Sequence, residues 1–149
     1  MTKLRDQVSE FMTAFDQARR DTPGAPDAAT VRLRARLIAE ETFELLSALY
    51  PDRGDRLADL LMSTMRVLDT ATPCPDLVEF ADACADLDYV TEGARLAFGI
   101  DGELIADEVH RSNMQKAGGH RDEYGKLRKP AGWTPPDVAG CLRKQGWEG

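Results

Sequence analysis

Three glutamates crowd one short segment of the sequence, at Glu40, Glu41 and Glu44. In a helix, which turns by about 100° per residue, they lie at about 0°, 100° and 40° around the axis and share one sector. Carboxylates held this close repel one another, so the cluster indicates a bound cation or a basic partner. The alternative is an ordinary solvated acidic face, because glutamate is a good helix former.

A second acidic pair follows later in the chain. Asp82 and Asp86 are four residues apart and share a helix face, whereas Asp88 points about 120° away. If the two helices pack antiparallel with these faces together, the carboxylates converge in a site without histidine or cysteine. Oxygen ligands of this kind suit Mg²⁺, or Mn²⁺ as an alternative. No loop with the residue spacing of a calcium site is present.

Apolar periodicity predicts the helices that carry these acids. Leu33, Leu37 and Leu45 recur at helical intervals, which predicts a helix over 27–50. A helix over 75–98 is predicted to carry the second pair, with a proline in its first turn and a glycine directly after its last residue. The two acidic faces are therefore expected on two different helices.

The rest of the chain predicts further helices and no sheet. Three of them are expected at 8–19, 56–68 and 103–116, separated by segments that contain glycine or proline. Residues 120–149 lose the helical pattern and are expected to form a partly irregular C-terminal extension. No run alternates polar and apolar residues with the period of a strand. The sequence thus predicts a single all-α domain over 1–149, built from about five helices.

Composition narrows the class of protein. At 149 residues with 42% hydrophobic content, the chain can bury a core without disulfides or a structural metal. Its net charge of −7 argues against binding a nucleic-acid duplex, whose phosphates are bound mainly by lysine and arginine. No segment approaches the roughly 18 apolar residues of a membrane span, and the charged N terminus lacks a signal segment, so we expect a cytoplasmic protein. Three cysteines without a Cys-x-x-Cys pair, and only two histidines, argue against a zinc site.

Five blocks of the sequence resemble a known superfamily. In chain order they are FMTAFDQA, LRARLIAEETFEL, DACADLDYVTEGARLAFGID, DEVHRSNMQK and GKLRKPAGWTPPD. Together, over roughly 11–137, they resemble the MazG-like, phosphoribosyl-ATP pyrophosphohydrolase-like superfamily, especially its small single-domain members. The resemblance implies an all-α bundle completed as a homodimer or homotetramer. It also implies magnesium-dependent cleavage of a nucleoside triphosphate to the monophosphate and pyrophosphate.

The resemblance also implies a set of metal ligands. These are Glu40, Glu41, Glu44, Asp82 and Asp86. The wider superfamily ends its second motif as Glu-x-x-Asp, and Asp86 matches that aspartate. Ala83 stands where the glutamate is expected, and the acid is Asp82, one residue earlier, as in the Asp-Ala-x-x-Asp of small members. Asp82 is therefore interpreted as a ligand or as a group just behind the ligands.

Another acidic pair, Asp55 and Asp59, lies between the two motifs. We interpret it as part of a surface face, because the residues around it lack the Tyr-Val-x-x-Gly continuation of the family. Tyr89, Val90 and Gly93 supply that continuation after Asp86.

Roles for the side chains follow from this assignment. Glu41 is predicted to accept a proton from the attacking water, because crowding by like charges raises a carboxylate pKa toward the range of a general base. Asn113, Lys116, Lys126 and Lys129 are predicted to contact the nucleotide. Each lysine also has an ordinary interpretation, as a partner of a helix C terminus or as an exposed loop residue.

Three rivals to triphosphate hydrolysis remain open. The substrate can be another pyrophosphate-linked nucleotide, such as phosphoribosyl-ATP, or a modified triphosphate. The chain can also be a non-catalytic helical module that binds nucleotides, which the Ala83 departure favours. Two side chains are interpreted as structural: His110 as a surface or packing residue, and Trp133 as an aromatic that pins the tail.

Overall fold

The computed structural model describes residues 2–149, and in that range the fold is built from helices. They are α1 Lys3–Ala14, α2 Ala28–Leu49, α3 Gly54–Thr70, α4 Leu77–Ala97, α5 Gly102–Met114 and α6 Val138–Lys144, with a short 3₁₀ helix at Pro51–Arg53. The described residues contain no strand, only an isolated bridge between Arg121 and Leu127. The all-α prediction is confirmed, with six α-helices rather than about five.

Short polar side chains fix where helices begin. Asp27, Asp101 and Asp137 each accept a hydrogen bond from a backbone N–H in the first turn of α2, α5 and α6, at 2.9 Å in all three cases. Gly99, with φ of 68°, follows α4 in the left-handed conformation expected of a glycine at a helix end.

The predicted bounds of α1 and α4 were wrong. Thr2 accepts a hydrogen bond from the Arg5 N–H, so α1 begins five residues earlier than the apolar pattern indicates. It ends at Ala14, and Asp16 then takes a positive φ of 48°. The helix α4 begins at Leu77 rather than at Pro75.

The chain divides into two compact units. One comprises Arg20–Asp76, and the other comprises the residues up to Arg19 together with Leu77–Gly149. In the first unit α2 packs against α3. Met65 of α3 is 6% exposed, and an ion pair of 2.5 Å joins Arg36 of α2 to Asp69 of α3. This hairpin of helices fixes the orientation of the acidic sector of α2.

In the second unit α5 packs against both α1 and α6. Asp107 of α5 binds two side chains of α1, the Lys3 ammonium at 2.6 Å and the Gln7 amide at 2.7 Å. On the other side, buried Cys141 of α6 lies with its Sγ 3.7 Å from the Leu104 carbonyl oxygen. The helix α5 is therefore the centre of this unit.

The helix α4 is more exposed than its apolar content suggests. Among the described helices of its own unit, α4 has no extensively packed partner. Val78, Tyr89, Leu96 and Phe98 are 77%, 82%, 70% and 68% exposed. None of the described helices is both long and apolar enough to cross a membrane.

Candidate functional site

The first acidic motif lies in the middle of α2. The helix is unbroken from Ala28 to Leu49, so the angular relation expected of Glu40, Glu41 and Glu44 applies. Glu40 is half-buried, whereas Glu41 and Glu44 are exposed. All three therefore sit on one unbroken helix, and two of the side chains are exposed to solvent.

The second acidic motif lies on α4, in the other unit. Asp82 and Asp86 are one turn apart and both are exposed. Ala83 carries no polar side chain and adds no ligand to this face, whereas Glu79, three residues before Asp82, lies on the same helix.

The donor chemistry of the two motifs fits magnesium. All five side chains offer carboxylate oxygens, and hard divalent cations prefer oxygen ligands. Within residues 2–149, no group of three or more histidine, cysteine, aspartate or glutamate side chains is gathered closely enough to hold a metal ion. The ligand set from the sequence therefore stays a prediction.

Asn113 and Lys116 lie at the C-terminal end of α5. Asn113 is half-buried and lines a groove of about 430 Å³ between α1 and α5. Lys116 lies just beyond the helix, with its ammonium 6.0 Å from the centre of the Phe11 ring. Both side chains therefore belong to the side of α5 that faces α1.

The groove itself is mainly apolar with a few polar groups. Its lining includes Leu4, Val8, Phe11, Ile100, Ile105 and Val109, with Gln7, Arg95, His110 and Asn113 among them. His110 Nε2 lies 3.2 Å from the Glu10 carboxylate, which links α5 to α1. This contact gives His110 a structural partner, in keeping with its interpretation as a packing residue.

The two tail lysines lie in different surroundings. The backbone N–H of Lys126 donates to the Asp122 carboxylate at 2.9 Å, closing a tight turn. Burial raises the pKa of Asp122, but the N–H groups of Lys126 and Tyr124 and the charge of Arg128 lower it by more, so the net shift is downward. Lys129 places its ammonium over the Trp133 ring, 3.9 Å from the ring centre.

Trp133 pins the tail to α5, as the sequence interpretation held. Its indole N–H donates to the Ser112 carbonyl at 3.0 Å. The Ser112 hydroxyl donates in turn to the Thr134 carbonyl at 2.8 Å, and Ser112 is 2% exposed. Ser112 was not predicted from the sequence, although its place beside Asn113 in the family-like block is a signal that could have found it.

Glu108 is a second anchor of the tail that the sequence analysis missed. Its carboxylate accepts hydrogen bonds from the Arg111 guanidinium at 2.6 and 2.8 Å and from the Asp137 N–H at 2.8 Å. These contacts, led by the Arg111 bond, lower the pKa of Glu108 from 4.5 to about 2. While the tail is docked, Glu108 therefore stays ionised at moderately acidic pH.

This shift predicts an acid sensitivity of the docked tail. Because the folded-state pKa is depressed, the contribution of Glu108 to stability is complete above about pH 4.5 and is lost as the pH falls toward 2. The free energy of unfolding, measured in urea between pH 5 and pH 2, should fall more steeply in the wild type than in Glu108→Gln. Glu103→Gln, an exposed glutamate on the same helix, should keep the wild-type profile. Equal slopes in wild type and Glu108→Gln would contradict the assignment.

Comparisons with known proteins agree with this architecture. The model of the phosphoribosyl-ATP pyrophosphohydrolase family matches residues 8–113. A crystal structure from Exiguobacterium sp. 255-15, provisionally described as an NTP pyrophosphohydrolase, is similar over 97% of this chain and 94% of that chain. Its TM-score is 0.59 and its identity 24%, a likeness that shows the fold. No curated protein sequence matches the chain. Because the family model spans more than half of the sequence, the chain belongs to the phosphoribosyl-ATP pyrophosphohydrolase family and is a pyrophosphohydrolase.

Proposed function

We propose that this chain is a magnesium-dependent nucleoside triphosphate pyrophosphohydrolase that releases pyrophosphate and a nucleoside monophosphate from an NTP or dNTP. The observation that carries the proposal is the extent of the family match, because residues 8–113 include both acidic motifs and Asn113. The oxygen-only donor set supports magnesium, with manganese as an alternative.

Within this proposal the carboxylates have different roles. Glu40, Glu44 and Asp86 hold the metal, and Asp82 is a further ligand or supports Asp86. When bound, magnesium supplies neutralising charge to the phosphate oxygens. Glu41, exposed on α2, accepts a proton from the attacking water. Water attacks the α-phosphorus, the bond from that phosphorus to the bridging oxygen breaks, and pyrophosphate leaves.

The cationic and amide side chains act on the nucleotide. Lys116, Lys126 and Lys129 donate to phosphate oxygens, and Asn113 donates to or accepts from the ribose, the base or a phosphate. Positioning and charge stabilisation of this kind account for most of the barrier reduction in phosphoryl transfer, because little covalent chemistry falls to the protein.

We further propose that the chain works as a homodimer or homotetramer. A helix that is apolar on several sides is normally buried, yet Val78, Tyr89 and Leu96 of α4, and Phe98 just after it, are mostly exposed. A second copy of the chain would cover them. Sedimentation of the purified protein should show a dimer or larger assembly, and a stable, soluble monomer at micromolar concentration would contradict this part of the proposal.

The experiment that tests the function is a substrate panel. Pyrophosphate and monophosphate release are measured for natural NTPs and dNTPs, modified triphosphates and phosphoribosyl-ATP, with magnesium and with a chelator. Triphosphates are expected to release pyrophosphate when magnesium is present and not when the chelator is present. The family match favours phosphoribosyl-ATP as the second candidate, and its dominance over every triphosphate would overturn the first. Nucleotide binding without any turnover would favour the non-catalytic module that the Ala83 departure suggests.

A further inference from the structure

The C-terminal tail runs along one face of α5 and is tied to it at successive turns. Glu108 accepts from the Asp137 N–H at 2.8 Å, and the Ser112 hydroxyl donates to the Thr134 carbonyl at 2.8 Å. One turn further, the Gln115 side-chain oxygen accepts from the Thr134 N–H at 3.1 Å and from its hydroxyl at 2.7 Å. The tail therefore docks on a strip of α5 that is distinct from the side facing α1.

The strip ends at the turn that carries the proposed nucleotide contacts. Asn113 directly follows Ser112, and Lys116 follows one residue after Gln115. The last carbonyl groups of a helix lack partners within the helix, so this turn is the part most prone to fraying. The Ser112 carbonyl there accepts from the Gln115 N–H at 3.2 Å and also from the indole N–H of Trp133 at 3.0 Å. The tail thus adds a side-chain hydrogen bond at the C-terminal end of α5.

Trp133 also makes a second contact, with its ring. The Lys129 ammonium lies 3.9 Å from the ring centre, within the range of a cation–π interaction. One indole therefore contacts both the tail cation Lys129 and the last turn of α5, where Asn113 lies and after which Lys116 follows. This contact adds to the hydrogen bonds of Thr134 and Asp137, which join the same tail to α5.

We propose that Trp133 is a positioning residue for the nucleotide, fixing Lys129 through its ring and the last turn of α5 through its N–H. This inference rests on the proposed function of Lys129 and Asn113. Trp133 itself touches no reacting atom, and Ser112 supports it by supplying the carbonyl and by anchoring Thr134.

The test compares Trp133→Phe with a matched control. Phenylalanine keeps a ring near Lys129 but removes the N–H to Ser112, and Trp147→Phe changes the other tryptophan of the tail, which is 49% exposed. The loss of one hydrogen bond predicts that KM for the magnesium nucleotide rises about three- to tenfold in Trp133→Phe, while kcat changes less than about twofold. Trp147→Phe should match the wild type. An unchanged KM in Trp133→Phe, or the same rise in both variants, overturns the proposal.

A double variant separates positioning from general stability. If Lys129 acts from the Trp133 ring, Trp133→Leu combined with Lys129→Met should raise KM no further than the larger of the two single changes. Effects that multiply would show that the two residues act independently and would contradict the inference. The thermal midpoint of each variant is recorded by circular dichroism, so that a folding defect is recognised by a lowered midpoint.

A binding readout distinguishes this inference from the proposed function. In Trp147→Phe the only tryptophan is Trp133, and its fluorescence is followed while a non-hydrolysable triphosphate analogue is added. A saturable change that Lys129→Met weakens supports the inference even in a protein that turns over no nucleotide. An emission that stays constant while calorimetry detects binding overturns it. Absence of turnover in the wild type would count against the proposed function alone.

Discussion

Replacing Glu41 by glutamine is expected to lower kcat for pyrophosphate release by about 10²- to 10⁴-fold. The change removes a proton acceptor from the exposed side of α2 and keeps the size of the side chain. KM should change much less, because Glu41 is assigned to the attacking water rather than to the nucleotide. The rates are measured by coupled detection of pyrophosphate at saturating magnesium nucleotide.

A matched acidic residue provides the control. Asp59 lies on α3 in the same unit, is exposed, and belongs to the pair that we interpret as surface. Asp59→Asn should retain kcat within about twofold, as surface changes away from a site commonly do. Circular dichroism of both variants checks that the helices remain. If Glu41→Gln kept more than about a tenth of the wild-type kcat, the proton would have another acceptor.

Removal of divalent metal is expected to have an effect at least as large. Charge stabilisation by a metal is worth several kcal/mol in the transition state, so excess EDTA should reduce the rate by about a thousandfold or more. Restoring magnesium should recover the activity, and manganese should recover at least part of it. The measurement is the initial rate before chelation, after chelation and after titration with each metal.

The control for this prediction is the fold. Within the described residues no metal-binding group is preassembled, and the packing of α2 on α3 uses Met65 and the Arg36–Asp69 ion pair. EDTA should therefore leave the helix content unchanged, as measured by circular dichroism. Undiminished turnover in EDTA would refute the metal assignment, and with it the roles given to Glu40, Glu44 and Asp86.

The sequence predicted the two helices that carry the acidic motifs, α2 and α4. The helix α2 was found nearly to the residue because its leucines are strictly periodic, Asp27 caps its start and Pro51 follows its end. The family-like blocks then indicated its acids as metal ligands, an assignment that stays a prediction. By contrast, α1 was placed too late, because its first turns carry few apolar residues and the cap at Thr2 was not recognised.

The docking of the tail could not be predicted in the same way. The seven-residue helix α6 is too short to show a periodic pattern. The bonds from Trp133, Thr134 and Asp137 to α5 join residues that lie 19 to 29 positions apart. Contacts between a side chain and a distant backbone group leave no regular spacing in a sequence, so only the structure reveals them.

The exposure of α4 could not be predicted from its apolar pattern either. Its apolar residues predict burial, and the structure leaves Val78, Tyr89 and Leu96 mostly exposed. Periodicity reports that a face prefers to be covered, and it does not report whether the cover comes from the same chain. A second copy of the chain, as proposed above, would cover this exposed face.

The central claim is that the acids of α2 and α4 serve one metal-bound nucleotide. The most direct test is the affinity for Mn²⁺ in the presence of a non-hydrolysable triphosphate, measured from the electron paramagnetic resonance signal of free Mn²⁺. Glu44→Gln and Asp86→Asn should each weaken this affinity by about tenfold or more, and Asp59→Asn should leave it unchanged. If either Glu44→Gln or Asp86→Asn binds Mn²⁺ like the wild type, the two motifs do not share a metal.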